Sequence, residues 1–242
     1  MRAMRARLPL LLLLILVACG EPGRTTVTPP PAPTVPAIGE LLAAPSPGPV
    51  RTFGYLWISP DGAALLDGLS LTTTGEPVPL EAGGLWLDEV PSLPAEPPLS
   101  IAGPVRYGIV AATGTLDGPG QFGPAGTFRY RLLSPVLEPL GLRDLTIPLL
   151  LENSGLYEGQ AVRLRGDLLM SRDSAMLVER LGPGGVPAAA ARQVKLAAPP
   201  RDEALLARLQ RGAGPSVRFG PVQITGLWRA GRLYPLVVEA GG

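Results

Sequence analysis

The sequence repeats itself at a distance of 112 residues. Residues 34–69 align with residues 146–181 without a gap, and 12 of the 36 positions are identical. Chance identity in a chain of this biased composition is about three or four positions. The same offset aligns residues 105–116 with residues 217–228, with six identities in 12 positions. The repeat predicts two copies of one folded unit in tandem.

Each copy begins with a segment in which small or apolar residues occupy every second position, 50–58 in copy one and 162–170 in copy two. Because alternate residues of a strand point to one face, these residues are predicted to line the interior of a barrel. They are Val50, Thr52, Gly54, Leu56 and Ile58, and Val162, Leu164, Gly166, Leu168 and Met170. Turn-forming residues at 59–62 and 171–174 then predict a hairpin into a second strand.

The remaining segments predict three more strands in each copy. They lie near residues 84–88, 105–116 and 127–133 in copy one and near 192–197, 217–228 and 232–238 in copy two. In copy two, acidic residues at 202–203, leucines on one side and a glycine at 212 predict a short helix between strands three and four. Strand, hairpin, strand, strand, helix, strand, strand is the order of the OB-fold, a five-stranded Greek-key barrel.

The start of each copy resembles the opening of small bacterial OB-fold domains, in which a helical turn, a Tyr-x-Gly step and a V-x-V-x-G strand begin the barrel. Copy two has Tyr157 and Gly159, whereas copy one has Ser-Pro-Gly at 46–48. The resemblance implies a mainly β fold of two tandem small five-stranded OB-like barrels, residues 34–135 and 146–242, joined by a linker at 136–145. The fold implies no particular ligand, since it hosts many functions.

The only cysteine of the chain, Cys19, directly follows an apolar segment. Three arginines and ten mainly apolar residues, 8–17, precede the small residue Ala18, which is typical of a secretory signal peptide over residues 1–18. Ten residues are too few to span a bilayer. The sequence LVAC at 16–19 resembles the lipobox of bacterial lipoproteins, whose cysteine is joined to diacylglycerol and becomes the new N-terminus. An ordinary cleaved signal with an incidental cysteine is the alternative.

Residues 19–33 are rich in proline and predict a semi-rigid tether. Fully extended, such a tether spans on the order of 40 Å. The two or three acyl chains of a lipoprotein hold a protein firmly on a bilayer, whereas one chain binds marginally. We therefore expect the protein to be exported and anchored to a membrane of the cell envelope, on its periplasmic or cell-surface side.

Three aromatic residues, Phe53, Tyr55 and Trp57, occupy the predicted outward face of the first strand. Such a row can stack on sugar rings or bases, or it can be covered by a loop or by the neighbouring domain. A glycine-rich loop in copy one, residues 117–126, carries Phe122 at its centre. In OB-folds this loop borders the ligand, so Phe122 is a further candidate, although the loop could equally be a tolerated insertion.

Charge differs between the copies. Without the signal peptide the chain has 18 basic and 20 acidic residues, which argues against a general nucleic-acid binder. Residues 48–134 contain four basic and eight acidic residues, whereas residues 160–242 contain twelve basic and six acidic ones. A basic surface could face anionic glycan, lipid phosphate or nucleic acid; alternatively these residues are scattered, or the two barrels face each other. The candidates are Arg163, Arg165, Arg172, Arg192, Lys195 and Arg218.

Catalytic patterns are lacking. The chain contains no histidine, and the single cysteine is assigned to lipidation. Asp61 and Asp173 recur at one position of both copies, but they lie in turns, where aspartate bonds the backbone. No phosphate-binding loop, metal-ligand spacing or nucleophile elbow occurs in the sequence. We expect no enzymatic activity, no metal site and no cofactor.

These observations predict an exported, lipid-anchored, non-catalytic binding or assembly module of the bacterial cell envelope. Its partners would be the membrane, through the lipid, and an envelope glycan or another small ligand, or an envelope protein. The alternatives are a nucleic-acid-binding tandem OB-fold protein at the cell surface and a pure protein–protein scaffold.

Overall fold

The structure is a computed structural model that describes residues 35–72, 74–80, 83–90, 92–93, 98–212, 214 and 216–241. The predicted signal peptide, the lipidation site Cys19 and the tether lie outside the described residues. Among the described residues, no helix combines the length and the apolar character that crossing a bilayer requires.

The described chain is mainly β-structure. Its helices are α1 (Ile38–Ala43), α2 (Ile147–Glu152) and α3 (Glu203–Arg208). The strands of the first half are β1 (Gly48–Ser59), β2 (Gly62–Leu66), β3 (Leu69–Leu71), β4 (Pro77–Pro79), β5 (Gly84–Leu87), β6 (Ser100–Ala102), β7 (Val105–Asp117), β8 (Arg131–Pro139) and β9 (Leu142–Leu145). Those of the second half are β10 (Ala161–Met170), β11 (Ala175–Val178), β12 (Gln193–Lys195), β13 (Gln210–Arg211), β14 (Arg218–Arg229) and β15 (Arg232–Ala240).

The first half contains a closed five-stranded barrel. Its strands are hydrogen-bonded in the order β1-β2-β5-β8-β7, and β7 pairs again with β1 to close the ring. Only the β5–β8 pair is parallel. Leu56, Leu65, Leu85, Val110 and Leu132 fill the interior, each with no exposed surface. The predicted mainly β fold, with a closed barrel, is confirmed.

The second half is a sheet in which β12, β11, β10, β14 and β15 lie side by side. A parallel bridge between Leu196 and Leu233 brings β15 back to the segment that follows β12. The sheet also contains strands from the first half: Leu69 of β3 pairs in parallel with Val237 of β15, and β4 pairs with β3. The two halves therefore share hydrogen bonds, and Val35–Gly242 forms one compact unit.

Residues 136–145, predicted as a linker, comprise the end of β8, two connecting residues and β9. β9 pairs in parallel with β10. The helix predicted in copy two is α3, and its first turn is capped by Asp202, whose carboxylate accepts the N–H groups of Ala204 and Leu205. The predicted inward residues of β1 and β10 lie in or against the two cores. Local patterning therefore predicted the interior of both halves correctly.

A glycine in the first strand of each half makes room for the short helix that precedes it. A β-carbon at Gly54 would lie 2.6 Å from Cδ1 of Ile38 in α1, and one at Gly166 would lie 3.1 Å from Cδ1 of Ile147 in α2. Both isoleucines are buried. The equivalent helix residues, Ile38 and Ile147, are thus 109 positions apart, whereas the equivalent strand residues, Gly54 and Gly166, are 112 positions apart. The gap-free alignment is wrong by three residues over the helices, because it pairs Ile38 with Leu150.

Gly54→Ala is expected to lower the free energy of unfolding by about 1–3 kcal/mol, the usual cost of overpacking a core. The new β-carbon would also lie 2.6 Å from the carbonyl oxygen of Leu66, a backbone atom that cannot rotate away. Gly141→Ala is the control, because a β-carbon there has no neighbour within 4 Å. Urea unfolding measures both variants, and equal midpoints for the two would contradict this account.

Candidate functional site

The second half of the chain covers Phe53, the first of the three aromatic residues on the outward face of β1. Phe53 is 1% exposed and packs with Ala161, Leu227 and Leu236 of the second sheet. The ring of Tyr234 meets it edge-on, with centroids 5.8 Å apart. Phe53 therefore cannot stack on a ligand. This corrects the prediction that included Phe53 in an exposed platform: its large apolar ring is buried at the contact between the halves.

Tyr55 is the next outward residue of β1, and it is only partly exposed. Its ring stacks on that of Tyr107 with centroids 6.1 Å apart. Burial, reinforced by the neighbouring Tyr107 hydroxyl, raises the pKa of Tyr55 to about 12. The phenol thus remains neutral at physiological pH, and most of its surface is occupied by protein contacts.

Trp57, the third outward residue of β1, is also partly exposed. Trp57 pairs with Tyr107 of β7 on one side and with Ala64 of β2 on the other. Ala64 in turn pairs with Trp86 of β5. The rings of Trp86 and Phe128 lie 5.6 Å apart. We call Trp57, Trp86, Tyr107 and Phe128 the aromatic strip. Its members pack against Ala64 and Leu66 on the outer face of the barrel, and each keeps part of its surface exposed.

The glycine-rich loop between β7 and β8 lies against the aromatic strip. Phe122 and Phe128 exchange backbone hydrogen bonds of 2.9 and 3.0 Å, which fold the loop back on itself. Gly123, with φ of 70°, passes so near Trp86 that a β-carbon there would lie 2.8 Å from Cε3. The loop brings Phe122, predicted from the sequence, beside Phe128 of the strip.

The guanidinium of Arg131 lies 4.7 Å from the centre of the Phe122 ring. Asp117 and Asp88 hold that guanidinium with bonds of 2.7 and 2.8 Å. The cation–π contact therefore ties the loop to β8, and the two ion pairs hold Arg131 in place at the ends of β5 and β7. The position of the loop beside the strip is defined by these contacts.

Sequence reasoning missed Trp86, Tyr107 and Phe128. The sequence did contain a signal for Trp86, because this residue lies between Leu85 and Leu87, which are both buried in the barrel interior. An outward tryptophan between two inward leucines indicates a surface aromatic residue. That these residues lie beside Trp57 depends on strand pairing, which the sequence did not reveal.

The six predicted basic residues divide into two groups. Three have side-chain partners: Arg163 pairs with Asp144 at 3.3 Å, Arg192 pairs with Glu152 at 2.6 Å, and Arg165 donates to Gln223 at 2.8 Å. The other three, Arg172, Lys195 and Arg218, lie at one end of the second sheet, near the β10–β11 turn. The structure thus brings together half of the predicted basic surface.

An ion pair joins α1 of the first half to β14 of the second. Arg229 is 8% exposed, and its Nη2 lies 2.8 Å from both carboxylate oxygens of Glu40. It also donates to the carbonyl of Val35 and to the hydroxyl of Tyr234, which in turn donates to Glu40. Burial by itself would raise the pKa of Glu40, but the hydrogen bonds from the Ala37 backbone, Arg229 and Tyr234 outweigh it and lower that pKa.

Arg229→Met is expected to lower the free energy of unfolding by about 2 kcal/mol. Breaking a fully buried ion pair costs about 3–5 kcal/mol, and the loss is smaller here because water reaches Glu40, whose side chain is 46% exposed. Arg51→Met is the control, since Arg51 and Glu138 are 3.4 Å apart and both largely exposed; its cost is below about 0.5 kcal/mol. Urea unfolding compares them, and a similar loss in both would refute the special role of Arg229.

A cavity of about 410 Å³ lies beside this ion pair, between the two halves. Its apolar lining includes Ile38, Phe53, Leu69, Leu80, Pro199, Pro200 and Leu236. Its charged lining consists of Glu40, Asp67, Arg201, Asp202 and Arg232. Sequence reasoning missed the cavity completely, because its walls come from α1, the β2–β3 connection, the segment before α3, and β15.

Asp67 differs from the other acids of the cavity. Burial raises the pKa of its carboxyl to about 6, and the positive charge of Arg201 offsets only part of that effect. A hydrogen bond from its own backbone N–H also lowers that pKa, but the carboxylate forms no ion pair and no hydrogen bond with another residue that the structure describes. Asp202, by contrast, caps α3 and accepts the hydroxyl of Ser70.

The chain matches no protein-family model, no curated protein and no solved structure. Within the described part of the chain, no group of three or more histidine, cysteine, aspartate or glutamate residues is arranged to hold a metal ion.

Proposed function

We propose that this protein is an exported, lipid-anchored, non-catalytic binding protein of the bacterial cell envelope, and that its bound ligand is a glycan. The ligand class is inferred from the aromatic strip beside the β7–β8 loop. Aromatic rings of this kind stack on the flat faces of sugars.

We propose that the two halves of the chain are two OB-like barrels. In the first half, β1, β2, β5, β7 and β8 correspond to strands one to five, with strand five between strands three and four. The second half supports the same assignment through β10, β11, β12, β14 and β15, with the Leu196–Leu233 bridge in place of a longer strand pair. OB-folds bind oligosaccharides and oligonucleotides on the face of strands two and three, beside the loop joining strands four and five. Trp86 and the β7–β8 loop occupy that location.

Charge favours a glycan over a nucleic acid at this face. Residues 48–134 contain twice as many acidic as basic residues, and Arg131, next to the strip, is already paired with two aspartates. Nucleic-acid binding depends on cations that neutralise phosphates. An acidic barrel repels a phosphate backbone, whereas a neutral sugar is unaffected.

Neutral glycan fragments of the cell wall, such as N-acetylglucosamine oligomers, are expected to change the tryptophan fluorescence of the protein that begins at residue 20, saturably and with little effect of salt. Tyr107→Leu should weaken this binding about tenfold, because one aromatic stacking contact is worth about 1–3 kcal/mol, and it leaves all three tryptophans in place. Phe219→Leu is the matched control, because Phe219 holds the equivalent position in the second copy, opposite Leu169.

The same titration with a single-stranded oligonucleotide at two salt concentrations tests the second candidate, a nucleic-acid-binding tandem OB-fold protein. Arg172, Lys195 and Arg218 are the residues that favour it, and its affinity would fall steeply with salt. No fluorescence change with either ligand would remove both candidates and leave a protein–protein scaffold as the function.

The anchor is proposed from the LVAC sequence at residues 16–19. Cys19→Ser should abolish incorporation of labelled palmitate in cells and move the protein from the membrane to the soluble fraction, because the lipid is attached through the thiol. Ala32→Ser in the tether is the control and should change neither result. A Cys19→Ser protein that still incorporates the label would contradict the anchor.

A further inference from the structure

The cavity between the two halves has the properties of a small-molecule site. Its volume of about 410 Å³ lies within the range of about 300–1,000 Å³ typical of ligand pockets. Most of its wall is apolar, with Ile38 and Phe53 from the first half facing Leu236 and Pro200 from the second. A mostly apolar wall with a few polar groups favours a ligand with an apolar body and one polar head.

The polar groups of the cavity differ in whether they are already engaged. Glu40 accepts bonds from Arg229, Tyr234 and the Ala37 backbone. Asp202 is bonded to the N-terminus of α3 and to Ser70. The carboxylate of Asp67 has a hydrogen bond only to its own backbone N–H and a longer-range attraction to Arg201, and no other described residue bonds to it.

A half-buried carboxylate with so few partners is unfavourable, because the charge loses more hydration than its bonds restore. The raised pKa of Asp67 is the expression of that cost. Arg201 and Arg232 are exposed to solvent, whereas Asp67 and Asp202 are partly buried. The two arginines are therefore more accessible to solvent than the two aspartates.

We propose that this cavity binds a small molecule with an apolar body and a single protonated amine, and that the amine contacts the carboxylate of Asp67. The apolar body replaces water along the wall formed by Ile38, Leu69 and Leu236. This site is separate from the aromatic strip, and it does not depend on glycan binding there.

The test is isothermal titration calorimetry with three probes that share an eight-carbon chain: n-octylamine, n-octanol and octanoate. Because residues from Val35 onward form one compact unit, the chain lacking its signal peptide is suitable. At pH 7.5 octylamine is expected to bind one to one, at least tenfold more tightly than the other two probes. A charge-assisted hydrogen bond supplies a difference of this size. Equal binding of the three, tighter binding of octanoate, or no binding of octylamine would overturn the proposal.

Two variants locate the site. Asp67→Asn should reduce octylamine affinity about tenfold, to the level of octanol, and leave octanol binding unchanged. Gly39→Leu should abolish binding of all three probes, because Gly39 lines the cavity and a β-carbon there meets open space. Gly155→Leu, also with an open β-carbon position but outside the cavity, is the matched control. Unchanged octylamine binding in Asp67→Asn or Gly39→Leu would refute the assigned site.

Lowering the pH from 7.5 to 5.0 should reduce octylamine affinity about fivefold, because a carboxyl with a pKa of about 6 is then about nine-tenths protonated and its neutral form binds octylamine about tenfold more weakly. The amine stays charged over this range. The other titratable groups around the cavity are Glu40, Arg201, Asp202, Arg232 and Tyr234. Glu40, with its lowered pKa, remains ionised at pH 5.0. Asp67→Asn should show no such loss, and an equal loss in the variant would exclude Asp67 as the amine's partner.

Discussion

The contact between the two halves, centred on Phe53 and Arg229, is the interaction on which the rest of the structure depends. Burial of a side chain the size of phenylalanine contributes about 1.5–3 kcal/mol, and Phe53 obtains it from Leu227 and Leu236 of the second sheet. Arg229 adds directional bonds to α1 at the edge of this apolar contact. Because apolar burial favours association and the ion pair restricts its geometry, together they hold the halves in one arrangement.

Backbone pairing reinforces this arrangement. β3 leaves the first barrel and adds to the edge of β15 through the Leu69–Val237 pair, so the halves share a sheet as well as side-chain contacts. An unpaired strand edge exposes backbone groups that can pair with other chains, and β3 covers that edge from within the molecule. The two halves are therefore parts of one compact unit.

Both candidate sites are consequences of the same contact. The second half covers the outward face of β1 at Phe53 but leaves part of Trp57 exposed. The aromatic strip therefore begins at Trp57. The cavity is the space left beside Arg229 where α1, the β2–β3 connection and β15 do not meet. The strip presents flat rings at the surface, whereas the cavity has a mostly apolar wall and one carboxylate, that of Asp67, whose pKa is raised by burial. Two such different environments suit two different ligands.

The sequence by itself determined the local features: the inward faces of β1 and β10, the turns after them, and α3 with its Asp202 cap. Alternation, turn residues and caps act between neighbours in the chain, so a pattern reveals them. Only the tertiary structure decided that Phe53 is buried, that Trp57 lies beside Trp86, and that Asp67 faces a cavity. Arg229 and Glu40 are 189 positions apart. A contact between such distant residues follows from how the sheets curve and pack, and no local pattern specifies it.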